Sequence, residues 1–272
     1  MTLRDHLKGP VMNSVTLDHV VVDARDRLDE AQHIFQSLGF NLTPRGFHTL
    51  GSMNHLAMFG DNYLELLGFG ESGAIRPELE TFPTGLNGLV FKTDNAEANF
   101  RAATAAGLAP QPVKSFSRPV EVDGQRLDAC FRTTNLPPDA SGIGRVYFCE
   151  HQTPELVWRP EYQAHPNGAQ QIVGVLIAAR APQRQAAFFR ALFGADAVVS
   201  EQDGSFSLPL SGGGAVVIAP VDAALAALGD AAPDPAGRES FMAALTIAVS
   251  ISEGRVVPAA AACNTTLRFV SR

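Results

Sequence analysis

Cysteine is scarce: Cys130, Cys149 and Cys263 are the three in 272 residues. An odd number without CxxC spacing argues against a disulfide framework and a thiolate zinc knot, and a reducing cytoplasm is the expected compartment. Long apolar runs are missing as well. The first nineteen residues, MTLRDHLKGPVMNSVTLDH, contain no signal-peptide h-region, and no stretch approaches the roughly 20 apolar residues of a membrane span. Charge is sparse at 18%, with 21 basic against 28 acidic residues and a net of -7. Without a basic excess there is no footprint for nucleic acid or an anionic membrane, so neither is expected as a partner. Nucleophile and phosphate-loop signatures are absent too. GESG from Gly70 and SGGGA from Ser211 fit neither GxSxG nor the Walker pattern, and the second falls where a hairpin turn is expected.

What is present is core material and a repeat. Hydrophobic residues make up 46%, enough for one or two domains at this length. Four stretches, LDHVVVDARD from Leu17, LNGLVFKTDN from Leu86, IVGVLIAARA from Ile172 and LTIAVSISEG from Leu245, are each β-rich and end in a polar turn. Helical patterns closing on glycine follow three of them: Leu28 to Gly39, Ala96 to Gly107 and Gln183 to Gly194. In the first, Leu28, Ala31, Phe35 and Leu38 share one helical face, and Gly39 is the expected C′ residue. Three short strands should follow each helix: Phe40 to Phe47, Met53 to Phe59 and Asn62 to Leu67 in the first unit, and Ala109 to Phe116, Arg126 to Thr133 and Gly144 to Cys149 in the second. The third unit offers Ala197 to Ser200, Phe206 to Leu210 and Ala215 to Ala219. No helix follows the fourth stretch, so that unit reads as truncated. Unit starts about 70 to 85 residues apart exceed solenoid repeats, which run to roughly 50. The expected fold class is α+β: tandem βαβββ modules whose mixed β-sheets form a cup. An N-terminal arm of residues 1–14, a two-module domain of 15–165 and a degenerate second domain of 166–272 are the expected divisions.

The βαβββ repeat, the opening LDHVVV, FGDNYLELLGF and the connector HQTPELVWRPEYQAHPNGA together resemble the glyoxalase-like branch of the vicinal oxygen chelate superfamily, from Leu17 to about Val270. That resemblance implies a cleft in which each of two paired modules gives a metal ligand from its first and last strands. His19 and Glu65 match in the first module. Gly88 matches His19 in the second, and Cys149 matches Glu65 when Tyr63 is aligned with Tyr147; the later first strands offer Gly174 and Ile247. A divalent metal ion would then rest on His19, Glu65 and a displaced third ligand, His151 or Glu150, with Glu150 or His151 as the catalytic proton carrier. The implied activity is that of a metal-dependent lyase, isomerase or dioxygenase on a small carbonyl or vicinal-oxygen substrate. A metal-free small-molecule binding protein of the same fold stays open beside it. Module exchange between chains makes a homodimer an expectation.

Four further residues are candidate substrate contacts: His55, Tyr63, Trp158 and Arg159. His55 depends on register. A two-residue turn at Gly60 and Asp61 puts Leu56 opposite Glu65, whereas a three-residue turn puts His55 on the face of Glu65. His33 and His48 read as surface groups, and the cysteines as buried structural residues. His151 and Glu155 are four apart, as in HExxH sites, but Thr153 and Pro154 read as the N-cap and N1 of a new helix with Glu155 in its first turn. Trp158 reads as a packing residue or a substrate wall, and Arg159 as an anion reader or the partner of Glu155 or Glu161.

Overall fold

A computed structural model of the chain describes residues 15–69, 82–250 and 254–271. The 1–14 arm and GESG lie outside them. The first module comprises β1 (Leu17–Arg25), α1 (Leu28–Ser37), β2 (Gly46–Phe47), β3 (Met53–Met58) and β4 (Tyr63–Gly68). In the second, β5 (Gly85–Lys92) and α2 (Ala96–Ala105) precede β6 (Lys114–Val122) and β7 (Gln125–Asn135), and the short α3 (Pro138–Ser141) leads to β8 (Arg145–His151). The third holds β9 (Ala169–Ala179), α4 (Pro182–Phe193), β10 (Val199–Ser200), β11 (Phe206–Pro209) and β12 (Ala215–Pro220). An apolar helix, α5 (Val221–Leu228), then leads to β13 (Ser240–Val249), β14 (Arg255–Val257) and β15 (Thr266–Ser271). Among the described residues, no helix is long and apolar enough to cross a membrane.

The first two modules make one eight-stranded sheet, β2-β3-β4-β1-β5-β8-β7-β6, and the rest a seven-stranded sheet, β10-β11-β12-β9-β13-β15-β14. β1 lies parallel to β4 and antiparallel to β5, the seam where the two modules meet. The eight-stranded sheet nearly closes on itself: Thr49 N–H donates to Ser117 O at 3.0 Å, and Ser117 N–H to Thr49 Oγ1 at 3.2 Å. This is the expected α+β cup of βαβββ modules.

Strand alternation sorts side chains to the two faces of that cup. Val20, Val22, Leu64, Leu66 and Phe148 point outward into a core shared with Ile172, Phe189 and Phe193 of the second half. Val21, Tyr63, Val90, Phe131, Tyr147 and Cys149 point inward. In the second sheet the face away from the shared core carries Ala178, Phe241 and Ala243, and α5 covers it through Val221, Leu225 and Leu228. That helix fills the space corresponding to the cavity of the first sheet.

Two expected strands moved. Phe40 to Phe47 is reduced to β2, and β6 begins at Lys114 because Asp123 and Gly124, with φ of 51° and 74°, form a tight turn that pairs Val122 with Gln125. Such a turn needs two positive φ angles, which Asp-Gly supplies.

Asn62 joins the two halves. Its buried amide donates to Ile172 O and accepts from Ile172 N–H, both at 3.0 Å. Asn62→Ala leaves two buried backbone groups unpaired and is expected to destabilise the protein by about 2 kcal/mol in urea unfolding.

Candidate functional site

Backbone register decides which residues face the cavity. The hairpin from β3 to β4 has the two-residue turn, since Phe59 N–H donates to Asn62 O at 2.9 Å and Leu56 pairs with Glu65. His55 therefore lies on the outer face, where its Nδ1–H donates to Thr43 O at 2.9 Å and Nε2 accepts from Arg45 at 3.3 Å. Burial holds its pKa below the usual imidazole value. Contrary to the expectation of a substrate contact, His55 is a neutral brace outside the cup.

Register also relocates the counterpart of Glu65. His19 pairs with Tyr63 across β1 and β4, and Gly88 pairs with Arg145 across β5 and β8. Two residues further along each last strand stand Glu65 and Tyr147. Tyr147, rather than Cys149, therefore occupies the position matching Glu65.

A cavity of about 50 Å³ lies inside the cup, with His19, Glu65, Asn54, Tyr147, Arg118 and Arg145 among its lining residues. At its floor His19 Nε2 is 3.1 Å from Tyr147 Oη and 3.7 Å from Glu65 Oε2. Asn54 Nδ2 donates to the other Glu65 oxygen at 2.7 Å. Burial pushes the Glu65 carboxyl upward, but His19, His48 and the Asn54 bond outweigh it, so the group is ionised. The Tyr63 ring stacks on His19 at 4.4 Å, and burial raises its phenol well above the ordinary value.

His19 is oriented from behind by a residue that alternation conceals. The β1 to β5 register slips between Leu17 and His19, making Asp18 the extra residue of a bulge. A bulge brings successive side chains to nearly one face. Asp18, fully buried, accepts from His19 Nδ1–H at 2.5 Å and from His151 Nε2–H at 3.0 Å. Burial works against its charge, yet His151 and His19 hold the carboxyl well below the carboxylate range. The matching bulge on β5 falls at Asn87, which donates to Asp23 at 2.9 Å and accepts from Arg145 at 3.1 Å.

The remaining expected residues are distributed around this centre. His151 stands across Asp18 from His19 and packs against Trp158, with ring centroids 4.6 Å apart; it is not positioned beside Glu65 as a third ligand. Glu150 accepts from Ala96 N–H at 2.8 Å, at the start of α2, and is not among the residues lining the cavity. Trp158 lies beneath Lys92, with Nζ 4.3 Å from the ring centroid, and touches the edge of Tyr63. Arg159 pairs with Glu161 and donates to Glu121 O. Thr153 Oγ1 accepts from Cys130 N–H at 2.8 Å rather than capping a helix, and Pro154–Leu156 is a single 3₁₀ turn. His48 lines the cavity, Nε2 lying 4.0 Å from Glu65 Oε1, instead of sitting on the surface.

A family model described as "Glyoxalase-like domain" matches residues 17–193, well over half the chain. The chain belongs to the glyoxalase-like domain family. Among solved structures it resembles a hypothetical protein from Staphylococcus aureus, with TM-score 0.71 and 15% identity over 95% of this chain and 100% of that one. It also resembles a xylose isomerase-like TIM barrel/4-hydroxyphenylpyruvate dioxygenase fusion protein, with TM-score 0.53 and 14% identity over 90% of this chain and 37% of that one. Likeness at this identity speaks for the fold. No curated protein matches the chain.

Within this glyoxalase-like cup two donor groups can be weighed as holders of a metal. Donors bound to one ion at roughly 2.0–2.2 Å lie about 3 Å apart, a spacing close to that of His19 Nε2 from Tyr147 Oη at 3.1 Å and from Glu65 Oε2 at 3.7 Å. The Asp18 bond behind His19 is the carboxylate–histidine support that directs a ring lone pair toward an ion. The fourth position is closed: a Cβ on Gly88 would meet Val21 Cγ2 at 2.5 Å and Arg145 Nη2 at 3.4 Å. Asp18, Cys149 and His151 also place donor atoms within 4.8 Å of one another. There burial keeps the Cys149 thiol protonated, and both Asp18 oxygens already serve histidines.

Proposed function

We propose that this glyoxalase-like protein is an enzyme whose cavity floor, His19, Glu65 and Tyr147, acts on a small substrate presenting a carbonyl or neighbouring oxygens. The observation that carries this reading is the meeting of those three polar groups at 3.1 and 3.7 Å on strands from both modules. Lyase, isomerase and dioxygenase chemistries all draw on such a floor, and the residues do not choose among them. His19, Glu65 and Tyr147 would hold a divalent ion, which would polarise a substrate carbonyl and stabilise charge developing on its oxygen. The chain itself contributes orientation and lining. Asp18 fixes the His19 ring, Asn54 holds one Glu65 oxygen, and Tyr63 and Phe131 add aromatic lining beside the floor. Without an ion at the floor, Tyr147 Oη–H and the Glu65 carboxylate are placed to exchange a proton with a bound molecule.

A second reading, a metal-free protein that binds small molecules, is favoured by the Arg145 guanidinium beside Gly88, since a cation there opposes a metal. Metal content tests the metal-supported form of the first reading against the second. Untagged protein supplied with zinc, iron, manganese or nickel is expected to retain about one ion per chain by mass spectrometry. His19→Ala and Glu65→Gln should reduce retention at least tenfold. If no supplement leaves metal on the wild type or shifts its melting temperature, the metal-supported reading fails.

A further inference from the structure

The cavity holds more positive charge than its own residues balance. Among the described residues, Lys114, Arg118 and Arg145 line it, and Glu65 is the one lining carboxylate. Arg145 is bound to Asn87. Both guanidinium Nε atoms lack an acceptor, but Arg118, 5% exposed, makes no hydrogen bond or ion pair at all among the described residues. Long charged side chains are almost never buried to that extent without a partner.

Its position is built rather than accidental. β6 points Lys114, Phe116 and Arg118 toward the cavity by alternation, and Phe116 stacks on Phe131 at 5.2 Å beneath them. The Arg118 side chain lies across Gly46. A Cβ there would stand 2.3 Å from Arg118 Cδ, 2.4 Å from Asn54 Oδ1 and 2.7 Å from Arg118 Nη1, so only glycine leaves the slot open. Arg118 also lines a wider outer hollow of about 500 Å³, where Phe47, Val120, Leu156 and Tyr162 supply apolar and aromatic wall. It thus stands between the outer hollow and the cavity floor.

We infer that Arg118 is the anchor for a carboxylate on the substrate, held where the outer hollow narrows, with the reacting end directed at His19, Glu65 and Tyr147. The inference rests on the cavity being the substrate site. A guanidinium offers a planar fork that a carboxylate matches with two parallel hydrogen bonds, and an incoming anion supplies the direct partner that no described residue gives Arg118. The apolar wall fits an acid with a modest hydrocarbon or aromatic body.

The test is calorimetry and thermal unfolding with acetate, glycolate and benzoate, each against its neutral amide, and with inorganic phosphate, all at fixed ionic strength. At least one carboxylate should bind wild-type protein at least tenfold more tightly than its amide. Arg118→Gln should remove that preference, and so should Gly46→Ala, which keeps the charge but displaces it together with the neighbouring Asn54. Without ligand, Arg118→Gln should melt no lower than wild type, because it deletes an unpaired buried cation; a merely structural arginine would lower it. Glu65→Gln should keep carboxylate binding or tighten it, because it removes a negative charge that acts on Arg118 from the same cavity. Binding that depends on Glu65 and not on Arg118 overturns the anchor while leaving the cavity as the ligand site. Equal binding of acid and amide, tighter binding of phosphate, or no binding of any carboxylate overturns the inference, whereas metal retention judges the catalytic floor separately.

Discussion

Asp18→Ala is expected to cost about 3–5 kcal/mol of folding stability, measured by urea unfolding, and to disable the cavity floor. The carboxylate is fully buried between two histidine N–H groups, at 2.5 Å from one ring and 3.0 Å from the other. Removing it strands both donors in a space without replacement acceptors, and breaking a buried charged cluster from one side carries a penalty of about that size. Asp18→Asn should be milder, about 2 kcal/mol, because an amide oxygen still accepts from one ring while the other histidine changes tautomer. His19 then loses the support that directs Nε2 toward Glu65 and Tyr147. A loss under 1 kcal/mol for Asp18→Ala would mean the bridge carries no weight in the fold.

How far the chain could be read in advance follows from which side chains obey simple periodicity. The βαβββ units were legible because their helices close on Gly39, Gly107 and Gly194 and their strands alternate cleanly. His19 and Glu65 were legible because a histidine and a carboxylate interrupt apolar strands. Asp18 was hidden by the same rule: alternation sends it away from His19, and a one-residue bulge, which no residue type announces, brings it back. Tyr147 was hidden by register, because aligning Tyr63 with Tyr147 by name shifted the counterpart of Glu65 onto Cys149. Arg118 was assigned to no strand, although Val122-Asp123-Gly124-Gln125 carried an Asp-Gly hairpin signal that would have extended β6 and turned Arg118 inward. His55 turned on the length of one turn, and the two-residue form sent it outside. The filling of the second cup by α5 could be seen only once the strands were in place.

The strongest contrast is expected between two neighbouring glycines in SGGGA. Gly213→Ala should cost about 1 kcal/mol and Gly214→Ala about 4 kcal/mol in urea unfolding. Both have positive φ, 88° and 83°, so both incur the left-handed strain of a side chain. At Gly213 nothing lies within 4 Å of an added Cβ, and strain is the whole effect; at Gly214 the Cβ would sit 1.7 Å from Val173 O, so the backbone must move as well. The stretch is the turn joining β11 to β12, closed by Leu210 N–H donating to Gly214 O at 3.0 Å. It also braces the other half of the molecule: Ser211 N–H donates to Val15 O at 2.9 Å, just ahead of the strand that carries Asp18 and His19. A phosphate-binding loop would lose ligand affinity on either substitution and show no such difference in stability. Gly214→Ala, acting through Ser211, should loosen the start of β1 and weaken ligand or metal retention at His19, while Gly213→Ala leaves both intact.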